Sequence, residues 1–244
     1  MSKDSPKKAD YKRTEVYLED RYEKPKHMFK VIADKLDKTV AQFPEANILD
    51  VGGATGELAY FLKQQFPKTR LTCLDSDLEL VERGQAKTEN ISFVHGDAND
   101  MSLFDDNSFE IVTMIGVMTI FDDFRLSLGE CLRLAKNTVM VISVFNEHDV
   151  DVLVKWRYSG DEGAWNPGYN MFSKKTVGDF LDANPHVSSW SFEKFLLPFK
   201  LERRDDVVRT WTEERGEGIR ILRNGVLPEV NLQILMIELD KNQA

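Results

Sequence analysis

Hydrophobic positions along this chain recur with two different periods, and the switches between them lay out most of the expected elements. In "PKHMFKVIADKLDKTVAQF", Met28, Ile32, Leu36 and Val40 recur four residues apart, a spacing that stacks side chains on one face of a helix. "NILDV" then reads as a strand, and residues 56–66 read as a helix behind a cluster of glycines. "TRLTCLD" is a second short strand ending at Asp75, followed by a helix over 77–87 with Asp77 or Ser76 as its N-cap. "ISFVHGD" predicts a third strand and "FEIVTMIGV" a fourth, with a helix over 122–136 and a fifth strand in "TVMVISVF". The fourth strand is apolar at almost every position, as expected of a parallel strand covered on both faces. Five alternations of strand and helix predict an α/β fold with a doubly wound, mostly parallel sheet, which receives ligands at the carboxyl ends of its strands.

After Phe145 the regular pattern gives way. Residues 146–172 are rich in aromatics, glycine and acids, and "SKKTVGDFL" within 173–181 resembles a capped helix start. "SWSFEKFLLPF" reads as a sixth strand and "NLQILMIEL" as a seventh, separated by a charged, glycine-punctuated insertion over 203–230. A length of 244 residues lies within the single-domain range. The expectation is one domain over 1–244, with an N-terminal arm over 1–24.

Charge and cysteine usage narrow the setting. The 41 acidic residues outnumber the 32 basic ones, for a net charge of -9, which argues against broad contact with nucleic acid or an anionic membrane. No apolar run approaches the length of a membrane span, and "MSKDSPKKADYKR" lacks the apolar core of a signal peptide. Cys73 and Cys131 lie in apolar segments without CxxC spacing and read as buried thiols of a reducing compartment, so the expected location is cytoplasmic. The four histidines form no metal-ligand spacing.

The chemistry concentrates at "ILDVGGATGELA", a strand, glycine turn and helix over 48–59. Glycines there let a ligand approach the backbone and present amides at a helix N-terminus. The dinucleotide pattern GxGxxG would need glycines at 52, 54 and 57, where the chain has Ala54 and Glu57, and no GxxxxGK[ST] phosphate loop occurs. Asp75, at the end of the second strand, is placed to accept both hydroxyls of a ribose, and Asp97 in "HGDAND" is placed to accept from an adenine amine. The turn and Asp75 suit NAD, FAD and adenosyl ligands alike.

These segments resemble class I S-adenosylmethionine-dependent methyltransferases. "ILDVGGATG" looks like the family's acidic residue and glycine-rich turn, while "LTCLDSD", "VHGDAND" and "FEIVTMIGVM" resemble its second-strand acid, adenine loop and fourth-strand motifs. The resemblance covers residues 45–145 well and the last strands in outline. It implies a seven-stranded Rossmann-like sheet with a late antiparallel edge strand, and S-adenosylmethionine as cofactor. By position, Asp50, Gly52 and Gly56 would shape the methionine pocket, Asp75 would take the ribose, and Asp97 with Ala98 would border the adenine, with Gly53, Ala54, Ser76 and Ile115 as further cofactor-binding residues. Ala54 departs from the family pattern, which usually has glycine there. Tyr17, with Tyr11 and Tyr22, would supply an N-terminal lid over the cofactor or else anchor a loose arm.

Methyl transfer from a sulfonium needs alignment and exclusion of water more than a dedicated catalytic group. His148, after the fifth strand, is the candidate base or acceptor contact, with a surface loop histidine as the alternative. Trp156, Tyr158, Trp165 and Tyr169 suit an acceptor lid or stacking wall, and equally suit packing of the first insertion onto the sheet. Asn166 and Asn170 are candidates to orient polar groups of the acceptor. In the second insertion Arg209, Arg220 and Arg223 suit an anionic group, yet Asp205, Asp206, Glu213 and Glu214 are equally placed to pair with them.

The sequence carries no appended RNA-binding module and no NPPY-like tetrapeptide, so the expected acceptor is a small molecule and the expected assembly a monomer or homodimer. Two other functions stay open. One is an NAD(P)-dependent oxidoreductase, disfavoured by the glycine spacing and by a YxxxK pair, Tyr22 to Lys26, that precedes the first strand. The other is a noncatalytic nucleoside-binding or partner subunit.

Overall fold

A computed structural model describes residues 22–157, 160, 162–203, 210–216 and 219–240. Tyr11, Tyr17, Tyr158, Asp205, Asp206 and Arg209, with most of the expected arm, lie outside the described residues.

The first helix, α1 (His27–Gln42), buries Phe29, Ile32, Ala33, Leu36 and Val40. Phe29 rather than Met28 takes the first buried position, so the inward stripe is shifted by one residue at its start. Then follow β1 (Asn47–Val51), α2 (Glu57–Gln65), β2 (Arg70–Asp75), α3 (Leu78–Lys87), β3 (Ile91–His95) and β4 (Phe109–Ile115). Asp77 caps α3, its carboxylate accepting from the Glu79 amide at 3.1 Å, which selects it over Ser76 as the cap.

The helix expected over 122–136 is α4 (Arg125–Leu134), and β5 (Ala135–Asn146) begins at once, earlier than "TVMVISVF" suggested. Pairing of Ala135 with Phe109 accounts for the early start. The first insertion holds the short strands β6 (Lys155–Trp156), β7 (Asn166–Pro167) and β8 (Phe172–Ser173). The expected capped helix is α5 (Lys174–Asp182), whose Ser173 cap accepts from the Lys175 amide at 3.0 Å. Next come β9 (Val187–Lys194), β10 (Trp211–Arg215), β11 (Ile219–Arg223) and β12 (Leu232–Leu239). The sixth strand therefore starts two residues before "SWSFEKFLLPF" and stops at Lys194. The second insertion contains an antiparallel hairpin, β10 with β11, that its charged composition did not signal.

Seven strands run in the order β3-β2-β1-β4-β5-β12-β9, with β8 paired beside the end of β5. The pairs β1 to β5 are parallel, and β12 is antiparallel to both β5 and β9. The antiparallel strand expected at the edge thus lies one place inside it, and β9 forms the edge. Helices cover both faces. Ile48, Ile111 and Ile142 pack with Leu36 and Leu62 of α1 and α2, and Leu49, Val112 and Val141 pack with Leu128 and Leu181 of α4 and α5. Alternate residues of one strand enter opposite cores, which is why β1, β4 and β5 show no polar alternation. The reversal of strand order between β1 and β4 opens a crevice at their carboxyl ends.

Candidate active site

The glycine turn fills that crevice. The amides of Gly52 and Gly53 both donate to the Leu74 carbonyl, at 2.7 and 3.1 Å, tying the turn to the end of β2. Gly52 has φ 73°, and a Cβ there would lie 2.1 Å from Val117 Cγ2, so conformation and space both require glycine. Ala54 also lies in the left-handed region, at φ 49°, and its amide donates to Asp75 Oδ2 at 2.9 Å. Asp75 Oδ1 accepts from the Asp77 amide at 2.9 Å, so this one carboxylate holds both the turn and the start of α3.

Two chambers meet at the turn. One, of about 290 Å³, is lined by Gly52, Ala54, Asp75, Ser76, Asp97 and Ala98, with Ile115 to Val117, Ile120 and Phe121 opposite. The other, of about 310 Å³, is lined by Lys26, Met28 and Phe29 of the α1 side, by Asp50 and the turn, and by Leu58, Ile115, Ile142 and Leu232. Gly52, Ala54, Ile115 and Gly116 belong to both walls. Tyr22 reaches the same turn from the N-terminal side, its hydroxyl donating to the Thr55 carbonyl and its ring standing edge-on to Tyr60 at 5.0 Å.

Asp50 is the electrostatic centre. It is 2% exposed, and the Thr113 hydroxyl donates to its Oδ1 at 2.9 Å. Burial pushes its carboxyl up to about 7, the Thr113 bond pulls it back, and the Asp75 charge adds to the rise. The carboxyl therefore stands near half-ionised at neutrality, and a cation beside it would favour the charged form.

Of the residues singled out from the sequence, Asp50, Gly52, Gly53, Ala54, Asp75, Ser76, Asp97, Ala98 and Ile115 all lie on these walls. Gly56 does not. It enters α2 with φ 83°, and a Cβ there would meet Phe93 at 2.5 Å, so its glycine serves the packing beneath the turn. The acceptor candidates lie elsewhere. His148 is exposed beyond the end of β5, and its backbone amide donates to Asn146 Oδ1 at 3.1 Å. Trp165 is 55% exposed with the Arg157 guanidinium 4.7 Å from its ring centroid. Trp156 is half-buried in the β6–β7 ribbon, and Tyr169, at φ 64°, packs by Val144, Leu227 and Val230. Asn170 is fully buried and spends its amide on protein groups. Arg220 and Arg223 pair with Glu214 and Glu213, as the charge pattern allowed.

Sequence reading missed Gly116, Val117, Phe121, Met28 and Leu232 as crevice residues, and Thr113 as the partner of Asp50 behind the wall. The one available signal was Gly116, a glycine just after an apolar strand, which has φ 73°. Among the described residues no group of His, Cys, Asp and Glu is arranged to hold a metal, and no helix is long and apolar enough to cross a membrane. Cys73 and Cys131 are buried free thiols, and burial pushes the Cys131 thiol up to about 12.

A sheet in this strand order, with a glycine turn and an acid at the next strand's end, defines the class I methyltransferase type of Rossmann-like fold. Residues 48–138 match the family model described as "Methyltransferase domain". The chain is 33% identical over 89 residues to the demethylmenaquinone methyltransferase of Thermotoga maritima, an alignment covering 36% of this chain and 38% of that protein. It is 25% identical over 189 residues to the Porphyromonas gingivalis protein of the same name, covering 71% and 72% of the two chains. Among solved structures, the PH0226 protein of Pyrococcus horikoshii OT3 is similar with a TM-score of 0.58 at 13% identity, over 94% of this chain and 100% of that one. Coclaurine N-methyltransferase, solved with N-methylheliamine and SAH, is similar with a TM-score of 0.51 at 12% identity, over 68% of this chain and 51% of that one. These structural likenesses establish the fold.

Proposed function

We propose that this protein transfers the methyl group of S-adenosylmethionine to a small-molecule acceptor. The observation that carries the reading is the meeting of two chambers at the Gly52–Ala54 turn, with Asp75 and Asp97 in one and Asp50 beside the other. The residues present fit the cofactor. Asp75 would take the ribose hydroxyls, because each carboxylate oxygen has two lone pairs and accepting one backbone amide does not exhaust it. Asp97 and Ala98 would border the adenine, and the Asp50 carboxyl would face the cationic methionine end.

The cofactor supplies the electrophilic methyl when bound. The chain's own part is to orient the two ligands and keep water out, with Val117 closed over Gly52 and with Met28, Phe29, Leu58, Ile142 and Leu232 forming an apolar wall. Neither chamber wall includes a histidine among the described residues, so the reading rests on positioning rather than on His148 as a base. In this reading the chain is a single domain, with the described parts of 146–172 and 203–230 on the acceptor side. The curated relatives make a demethylmenaquinone-like quinol the first acceptor to assay. The buried, unpaired thiols support a cytoplasmic setting.

Calorimetric titration with S-adenosylmethionine, S-adenosylhomocysteine and NAD tests the reading. Micromolar binding of the adenosyl pair without NAD is expected. NAD binding alone would return the oxidoreductase alternative, and no binding of any of the three would leave a noncatalytic subunit. Labelled methyl transfer to a quinol then tests the acceptor class.

A further inference from the structure

The loop that brings Asp97 and Ala98 to the chamber has no helix or strand of its own. Between β3 and β4, residues 96–108 hold an isolated bridge, Asp97 with Asp100, and local turns in which Asp97 Oδ1 accepts from the Asn99 amide at 2.9 Å and Asp100 Oδ1 from the Ser102 amide at 3.2 Å. Anchors outside the loop must therefore fix its shape, and Arg133 of α4 supplies them. A guanidinium has five N–H donors, and here each is used. Nε and Nη2 grip the two oxygens of Glu130 at 2.7 and 2.8 Å, and Nη2 also donates to the Met101 carbonyl at 3.0 Å. Nη1 donates to the Phe104 carbonyl at 3.0 Å and to Asp106 Oδ1 at 2.7 Å. Glu130 Oε2 accepts from the Met101 amide at 2.8 Å, so arginine and carboxylate together hold both backbone groups of Met101, which is fully buried. The Arg133 carbonyl takes the Asn107 amide at 3.0 Å, fixing the loop's far end. The bond from Arg133 holds the Glu130 carboxyl below its usual range, which keeps the pair ionised at neutrality. The Asp97 carbonyl accepts from the Asp100 amide at 3.0 Å, one residue before Met101, and this bond ties the held segment to the chamber wall.

From this arrangement we infer that Arg133 is a positioning residue for base recognition, which clamps residues 101–107 onto α4 and so holds the Asp97 carboxylate where it selects a 6-amino over a 6-oxo purine. The inference rests on the proposed adenosyl ligand and gives its base preference a structural source. An exocyclic amine donates to a carboxylate, whereas a 6-oxo group brings a second acceptor to the same place and leaves both unpaired. That discrimination needs a carboxylate fixed in position. A loop without a ladder of its own, once released from the clamp, adjusts to either base and separates them poorly. Lysine is no substitute for the arginine, since its ammonium has three donors in no fixed plane.

Calorimetric titration of the full chain with S-adenosylhomocysteine and with S-inosylhomocysteine, which differ in a 6-amino against a 6-oxo purine, tests this. The unaltered protein should bind the adenosyl compound about tenfold or more tighter. In Arg133→Met that ratio should fall below about threefold, through loss of adenosyl affinity with the inosyl affinity nearly unchanged. Asp97→Asn should lower the ratio as well, because an amide there serves either base. Adding Arg133→Met to Asp97→Asn should lower it no further, since the arginine acts through Asp97. Glu130→Gln weakens the clamp without removing it and decides the matter if Arg133→Met does not fold: a smaller fall in the ratio is expected, and an unaltered ratio counts against the clamp. A purely structural Arg133 would lower the melting temperature and both affinities by one factor, leaving the ratio intact, and that outcome would overturn the inference, as would a further fall in the double variant. Equal binding of the two compounds by the unaltered protein would remove the base preference while leaving the adenosyl reading in place. Binding of neither would sink the proposed function together with it.

Discussion

At the scale of single residues, two side chains set measurable behaviour. Asp50 holds a carboxyl near 7 that would sit at 3.8 in an exposed setting. Between those values the folded chain binds more protons than the unfolded one, so stability falls as pH rises and levels off above about 7. The loss has a ceiling of ~4 kcal/mol at about 1.4 kcal/mol per pH unit. Denaturant titrations from about pH 4 to pH 8 should show this slope, and Asp50→Asn should flatten it. Ala54 carries a different cost. An alanine at φ 49° is disfavoured by about 1 kcal/mol relative to glycine, so Ala54→Gly should raise the melting temperature by about 2–4 °C. An unchanged or lower melting temperature would mean that the greater freedom of glycine in the unfolded chain offsets the relief of strain.

At the scale of elements, the parallel half of the sheet was legible because burial on both faces leaves unbroken apolar runs such as "FEIVTMIGV". The insertions were less legible. β6 and β7 are two residues each, too short for any period to register, and β10 with β11 alternates charges that pair across the hairpin. The order of β12 and β9 was hidden for another reason, since two late strands pair through a return that local pattern does not encode. The glycine turn and the two strand-end acids were readable from residue type and spacing. Val117 and Phe121 were not, because ordinary apolar residues become crevice walls only through the loop that carries them. Trp165 tests what the first insertion does. Its exposed contact with Arg157 is worth no more than about 1 kcal/mol, so Trp165→Ala should leave stability nearly unchanged. If the ring meets the acceptor, the variant should raise KM for it several-fold, as steady-state kinetics would read; a normal KM would leave the ring as surface packing.

At the scale of the whole molecule, the candidate site belongs to no one element. Its walls come from the α1 side, from the turn after β1, from the ends of β2 and β3, and from the β4 loop, with Leu232 at the start of β12 closing the far side. Unfolding separates all of these, so the unfolded chain has no comparable place for an adenosyl ligand. A ligand bound only by the native state stabilises it by about 2.7 kcal/mol at 100 times its Kd. For a chain of 244 residues that corresponds to a rise of about 5–10 °C in melting temperature. S-adenosylhomocysteine should therefore shift thermal unfolding upward and keep shifting it with concentration, while NAD at the same concentrations should not. Asp75→Asn should reduce the shift, and because Asp75 also holds the Ala54 and Asp77 amides, the variant should start from a lower melting temperature as well. Thermal scans over a concentration series separate the two effects, since loss of a structural bond lowers the melting temperature without ligand, whereas loss of a ligand contact moves the rise to higher ligand concentration.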